Sequence, residues 1–128
     1  MQFRRYRKTT LIEARQLSKQ DYIHRRGVIH TLEGPAAFKP GDYLARDHKG
    51  QWPISRARME RTYRRVSAPD RQGWARWQSL EIREACQMSK PFTVGGLRGK
   101  AGDYLVRGDG HAWPVNQELF RTTYTSVE

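Results

Sequence analysis

Arg58, Arg61 and Arg65 are spaced three and four residues apart, the interval at which side chains share one face of an α-helix. Three guanidiniums on one face, opposite the apolar pair Met59 and Tyr63, suit recognition of phosphate or carboxylate. The only acid between residues 56 and 65 is Glu60, which falls off that face. A second basic run, Phe3-Arg4-Arg5-Tyr6-Arg7-Lys8, interleaves cations with rings, as in nucleic-acid surfaces where aromatics stack and arginines meet phosphate. Its rings are assigned to a core and its cations to solvent. Arg25 and Arg26 add two more charges on a loop. Arg4, Arg5, Arg7, Lys8, Arg25, Arg26, Arg58, Arg61 and Arg65 therefore form the candidate polyanion-binding set.

Catalytic chemistry finds less support. Asp42 and Asp103 each follow a glycine at a turn, where a carboxylate accepts backbone hydrogen bonds. His24, His30, His48 and His111 define no ligand spacing, and Cys86 has no histidine near it in sequence. Glu13 and Glu84 recur in equivalent contexts, and a carboxylate pair across a pseudo-twofold axis could do acid–base work, but pairing with arginine or a backbone amide is the expected role. There is no P-loop, no GxGxxG and no HExxH. One cysteine excludes an intramolecular disulfide and any all-protein Cys₄ or Cys₂His₂ zinc site. No metal or cofactor is expected, and the protein reads as a non-catalytic one.

The elements that must position these residues follow from a repeat. Pro40-Gly41-Asp42-Tyr43-Leu44-Ala45-Arg46, Gly50-Gln51-Trp52-Pro53-Ile54 and Arg61-Thr62-Tyr63 match Gly102-Asp103-Tyr104-Leu105-Val106-Arg107, Ala112-Trp113-Pro114-Val115 and Thr122-Thr123-Tyr124 at an offset of 61. Glu13-Ala14-Arg15-Gln16-Leu17-Ser18-Lys19 matches Glu84-Ala85-Cys86-Gln87-Met88-Ser89-Lys90 at an offset of 71, which also pairs Phe3 with Trp74, Arg5 with Arg76 and Tyr6 with Trp77. The expectation is a mainly β, α+β single domain: two tandem β-β-β-β-α repeats, 3–66 and 74–128, with a linker at 67–73, a pseudo-twofold relation and one shared core.

Within each repeat, 7–17 and 78–88 read as strands, as do 28–32 and 92–94. Pro-Gly-Asp turns into the strand at 43–46, and Asp47–Gly50 and Gly108–His111 are hairpin loops. Pro53 places the return strand Trp52-Pro53-Ile54 at a sheet edge or puts the proline at the strand's end. Ser55 and Asn116 are N-caps of the closing helices, the first of which is read from Arg56 to Arg65. Phe3, Tyr43, Leu44, Trp52, Ile54, Met59 and Tyr63, with Trp74, Tyr104, Leu105, Trp113, Val115, Phe120 and Tyr124, are the predicted core.

Charge is uneven along this pattern. Of 24 Lys and Arg against 13 Asp and Glu, residues 1–65 carry 16 basic and six acidic, a net +10, and residues 66–128 a net +1. That asymmetry points to a polyanionic partner. No apolar run approaches the roughly 20 residues that span a bilayer, so no membrane contact and a cytoplasmic location are expected.

Pro40-Gly41-Asp42-Tyr43-Leu44, Gly50-x-Trp52-Pro53 and Thr62-Tyr63, with Thr31-Leu32-Glu33-Gly34 and the opening 7–14, resemble a pattern in small phage and bacterial proteins, the PGDYG-motif proteins. Ala101 stands where the motif has Pro, and neither copy has the final Gly. The resemblance implies a phage or mobile-element setting and carries no functional residue with it. The expected function is binding of nucleic acid or another polyanion through the basic first repeat. The alternatives are a protein-interaction or inhibitor protein docking on an acidic surface, with Leu119 at an interface or homodimer contact, and a small enzyme or ligand-binding protein with its pocket between the repeats.

Overall fold

The computed structural model describes residues 2–127. The chain runs β1 (Arg4–Lys8), β2 (Leu11–Gln16), α1 (Lys19–His24), β3 (Val28–Thr31), β4 (Gly34–Ala37), β5 (Tyr43–Arg46) and β6 (Gln51–Ile54). It continues through α2 (Arg56–Thr62), β7 (Tyr63–Arg65), β8 (Ala75–Ser79), β9 (Ile82–Gln87), β10 (Phe92–Val94) and β11 (Leu97–Gly99). β12 (Tyr104–Gly108), β13 (His111–Val115), α3 (Gln117–Thr123) and β14 (Tyr124–Ser126) follow. The protein is α+β and mainly β, and the three helices among the described residues are only six or seven residues long.

Two compact units result, one of residues 11–79 and one joining residues 1–10 to residues 80–128. In the first, a five-stranded antiparallel sheet has the order β6-β5-β2-β8-β7, with β3–β4 as a separate hairpin. In the second, the order is β13-β12-β9-β1-β14, with β10–β11 as the separate hairpin.

The stretch 7–17 is thus two strands and not one, and the same correction applies to 78–88. β1 ends at Lys8 and pairs with β9 and β14, whereas β2 pairs with β5 and β8. Thr9 fixes the break, its amide donating to the Thr123 carbonyl at 2.8 Å and its hydroxyl to that of Thr122 at 3.2 Å. Residues 67–73, read as a linker, are the ordered turn of the β7–β8 hairpin. Asp70 Oδ1 accepts from the amides of Gln72 and Trp74, both at 2.9 Å, and the Ser67 hydroxyl accepts from the Arg76 amide. The β-β-β-β-α reading also misses α1, the strands β4 and β11, and the strand that follows each closing helix.

In the 11–79 unit, Ile12 and Ala14 alternate toward one sheet face, where Ala45, Ile54 and Met59 are buried with Tyr43, Trp52, Tyr63 and Trp77 against them. α2 covers that face through Met59. On the other face Leu44 is buried with Leu17, Ile29 and Phe38, and Trp74 packs beside them. α1 is held by a capping box: Asp21 accepts from the Ser18 amide at 2.7 Å, and the Ser18 hydroxyl accepts from the Asp21 amide.

In the other unit Ala85, Val106, Val115, Phe120 and Tyr124 are buried, with Tyr6, Tyr104 and Trp113 against them. Phe120 stacks on Tyr104 and Tyr124 at 3.8 and 4.7 Å and meets Tyr6 edge-on at 4.8 Å. Of the predicted core, Phe3 is only half-buried and lies under an arginine, as does Trp74. Pro53 and Pro114 sit on the edge strands β6 and β13, where a missing amide disturbs no ladder.

The two Pro-Gly-Asp and Ala-Gly-Asp turns have one geometry. Gly41 and Gly102 stand at φ 95° and 94°, open to glycine and strained for other residues. Asp42 accepts from the Lys39 and Arg56 amides, and Asp103 from the Lys100 and Gln117 amides, at 2.9 and 3.2 Å in each case. Each aspartate thereby ties a turn to the first residue of a helix.

Candidate nucleic-acid interface

The nine candidate cations divide between the units. Arg4, Arg5, Arg7 and Lys8 lie on β1, while Arg25, Arg26, Arg58, Arg61 and Arg65 belong to residues 11–79. Counted by unit, residues 11–79 hold fourteen basic and seven acidic side chains, net +7, and the remainder ten and six, net +4. The imbalance along the sequence is softened because β1 takes its four cations into the sheet of β9 and β14.

Arg65 is not on a helix face with Arg58 and Arg61. α2 ends at Thr62, and Tyr63 is extended at φ −132° and ψ 157°. β8 otherwise has an open edge, and Tyr63, Arg64 and Arg65 fill it opposite Ser79, Gln78 and Trp77. Helical spacing therefore overruns the helix by a turn, and the same happens at Tyr124, which caps α3 and starts β14.

The segment nevertheless concentrates charge. Arg56, Arg58, Arg61, Arg64 and Arg65 are all exposed. Glu60 is the one acid among them; it binds Arg56 at 3.0 Å across one helical turn and raises that guanidinium's pKa. Cross-strand neighbours share a face, so Arg65 lies on the Trp77 side of the sheet, toward α2, and Arg64 on the opposite side with Gln78. The basic segment therefore wraps the β7 edge. Arg25 caps the C-terminus of α1 and Arg26 follows at φ 54°, both exposed.

On β1, Tyr6 faces the buried cluster of its unit, and Arg4 and Lys8 share that side by alternation. Arg5 and Arg7 project from the other. Arg5 stands opposite Glu84, which accepts from Arg107 at 3.1 Å. The same row exists in the other sheet: Arg76 opposite Glu13, and Glu13 accepting from Arg46 at 3.1 Å. Of the two expected partners, arginine or a backbone amide, both glutamates take an arginine. Each is committed to a guanidinium in its own sheet, the arrangement of a charge ladder and not of an acid–base pair.

Beneath each ladder lies a ring. The Arg46 guanidinium sits 3.6 Å above the Trp74 ring centroid, and that of Arg107 3.7 Å above Phe3. Arg46, Arg76 and Arg107 were not singled out from the sequence. Their signal was present: Arg46/Arg107, Glu13/Glu84 and Arg76/Arg5 keep their identity at the offsets of 61 and 71, whereas Arg58, Arg61 and Arg65 become Leu119, Thr122 and Ser126.

His111 and Cys86 make local structural contacts. His111 Nδ1 lies 3.1 Å from the Asp109 carbonyl and its ring tilts against Trp113. Cys86 is buried, its thiol 3.6 Å from the Gln87 carbonyl. Among the described residues no three His, Cys, Asp or Glu side chains group as a metal would require. No helix there is long and apolar enough to cross a membrane. Leu119 is 56% exposed on α3. Compared with known proteins, the chain matches no protein-family model, no curated protein and no solved structure.

Proposed function

We propose that the protein is a non-catalytic binding module for nucleic acid or a similar polyanion, engaged through the basic segment of α2 and β7. The observation that carries this reading is the run of five exposed arginines between 56 and 65 with a single acid, Glu60, that binds Arg56. Guanidiniums placed this way form charge-assisted, forked hydrogen bonds to phosphate oxygens. Such contacts position the ligand and carry no base sequence. The proposal includes a duplication: blocks matching at offsets of 61 and 71 lie on corresponding strands, so the two sheets are read as copies of one unit, of which this copy acquired the basic edge.

The test is fluorescence anisotropy of labelled oligonucleotides across a salt series. About five neutralised phosphates give a slope of log K on log salt of roughly −4 to −5 on duplex. The combined Arg58→Ala, Arg61→Ala, Arg65→Ala variant is expected to flatten it by about 2 to 3 units. A folded protein that binds no oligonucleotide at about 50 mM salt overturns the reading.

A further inference from the structure

We infer that the two arginine-capped rings, Arg46 on Trp74 and Arg107 on Phe3, are stacking platforms for the bases of a single-stranded nucleic acid. This rests on the polyanion reading above and names its substrate class. Both platforms are built alike. The guanidinium carbon lies over a half-buried ring, 3.6 or 3.7 Å from its centroid, and a cross-strand glutamate binds the guanidinium at 3.1 Å. The Arg46 and Arg107 side chains remain 43% and 48% exposed. A planar cation fixed in this way presents a flat, weakly hydrated plane on which a base can stack, as bases do on arginine in single-stranded complexes.

Charge complementarity favours the same ligand. Each row places two arginines against one glutamate, Arg46 and Arg76 on Glu13, Arg107 and Arg5 on Glu84, so each platform keeps a net +1 despite its carboxylate. Packing does not require an exposed charged row in either sheet, yet the row recurs in both while the α2 cations do not.

Geometry decides between single strand and duplex. In the 11–79 sheet the platform faces away from α2, because Glu13 alternates with Ile12 and Ala14, which meet Met59. Arg64 and Arg65 carry basic charge from one face to the other around the β7 edge. A duplex, with a persistence length of about 50 nm, cannot fold over a strand edge. A flexible single strand can follow the arginines from α2 to Arg46.

The experiment titrates the full chain with oligo-dT of about 15 nucleotides and with a duplex of the same length. Arg46→Lys and Arg107→Lys keep charge but remove the plane. Each is expected to weaken oligo-dT binding about tenfold, with duplex binding and the salt slope unchanged. Glu13→Gln and Glu84→Gln keep the Oε1 acceptor that holds each guanidinium and remove the negative charge, so they are expected to tighten oligo-dT binding several-fold, which keeps the test decisive if a lysine variant unfolds. If oligo-dT binds and depends on Arg58, Arg61 and Arg65 but is indifferent to both lysine and both glutamine variants, the platforms are overturned and the polyanion reading stands. If neither probe binds, the polyanion reading falls and this inference with it.

Discussion

β8 and β1 hold the same place in their two sheets, each between a six-residue strand and a three-residue edge strand, but they reach it by different routes. β8 follows β7 directly through the turn at 66–74. β1 meets β14 from the far side of the sequence, with Thr9 and Thr122 bonded across 113 residues. In a flexible chain, closing the longer loop costs roughly 2 kcal/mol more, since the cost grows only as the logarithm of length. Sheet position and chain connectivity are therefore set separately: register and ring packing place the strand, and the turn only lowers the entropic cost of closing it.

The largest expected effect separates those two contributions. Tyr6→Ala and Trp77→Ala each remove a ring against a buried cluster and should cost about 2 to 4 kcal/mol. Native-state hydrogen exchange should show β1 amides exchanging freely in the first variant, while β8 in the second stays protected on its hairpin. Equal release of both strands would break the distinction.

A smaller effect tests where the two units agree. Asp42→Ala and Asp103→Ala each orphan a turn amide and a helix-start amide, at an expected cost of about 1 to 2 kcal/mol. Thermal unfolding should give the two the same shift. A cost at one position and none at the other would mean that the shared geometry hides unequal roles.

The smallest expected effect belongs to the 11–79 unit alone, because Cys86 stands where Arg15 does here. Arg15 hydrogen-bonds Asp21 at 3.1 Å, and this, with the Ser18 contacts, lowers the Asp21 pKa from 3.8 to about 2, against the opposing effect of burial. A depressed carboxylate stabilises the fold above its unfolded pKa, so the contribution is complete above about pH 4 and is lost as pH falls through about 2. Allowing for solvent screening it amounts to about 1 kcal/mol. Asp21→Asn should destabilise at pH 5 and be neutral near pH 2; a deficit persisting at pH 2 would assign the effect to packing.

What was legible in the sequence was local. Ser55 and Asn116 announce helix starts, the Gly-Asp turns announce themselves, and Pro53 marks an edge or a strand end. The partition of β1 and β8 was not legible, because pairing Phe3 with Trp74 and Tyr6 with Trp77 in sequence says they are equivalent without saying which sheet each joins. The end of α2 was hidden for a related reason: the periodicity of Met59 and Tyr63 is helical, but the open edge of β8 decides that Tyr63 is extended. α1 had a readable Ser18-x-x-Asp21 box, yet lay in a stretch without apolar periodicity. Helical spacing and basic runs are visible along the chain and point to 56–65, whereas Arg46 and Arg107 have cross-strand partners that no local pattern displays.

The distance between β1 and β14 also has a meaning in time. A ribosome adding about 5 to 20 residues per second releases β1 roughly 6 to 23 s before β14. The 11–79 unit is continuous and can close meanwhile, while β1 waits without its partner strands. Four of its five residues are Arg or Lys, a composition that discourages pairing with strands of other chains. The same charges read first as a binding surface thus protect a strand that must be made early and used late.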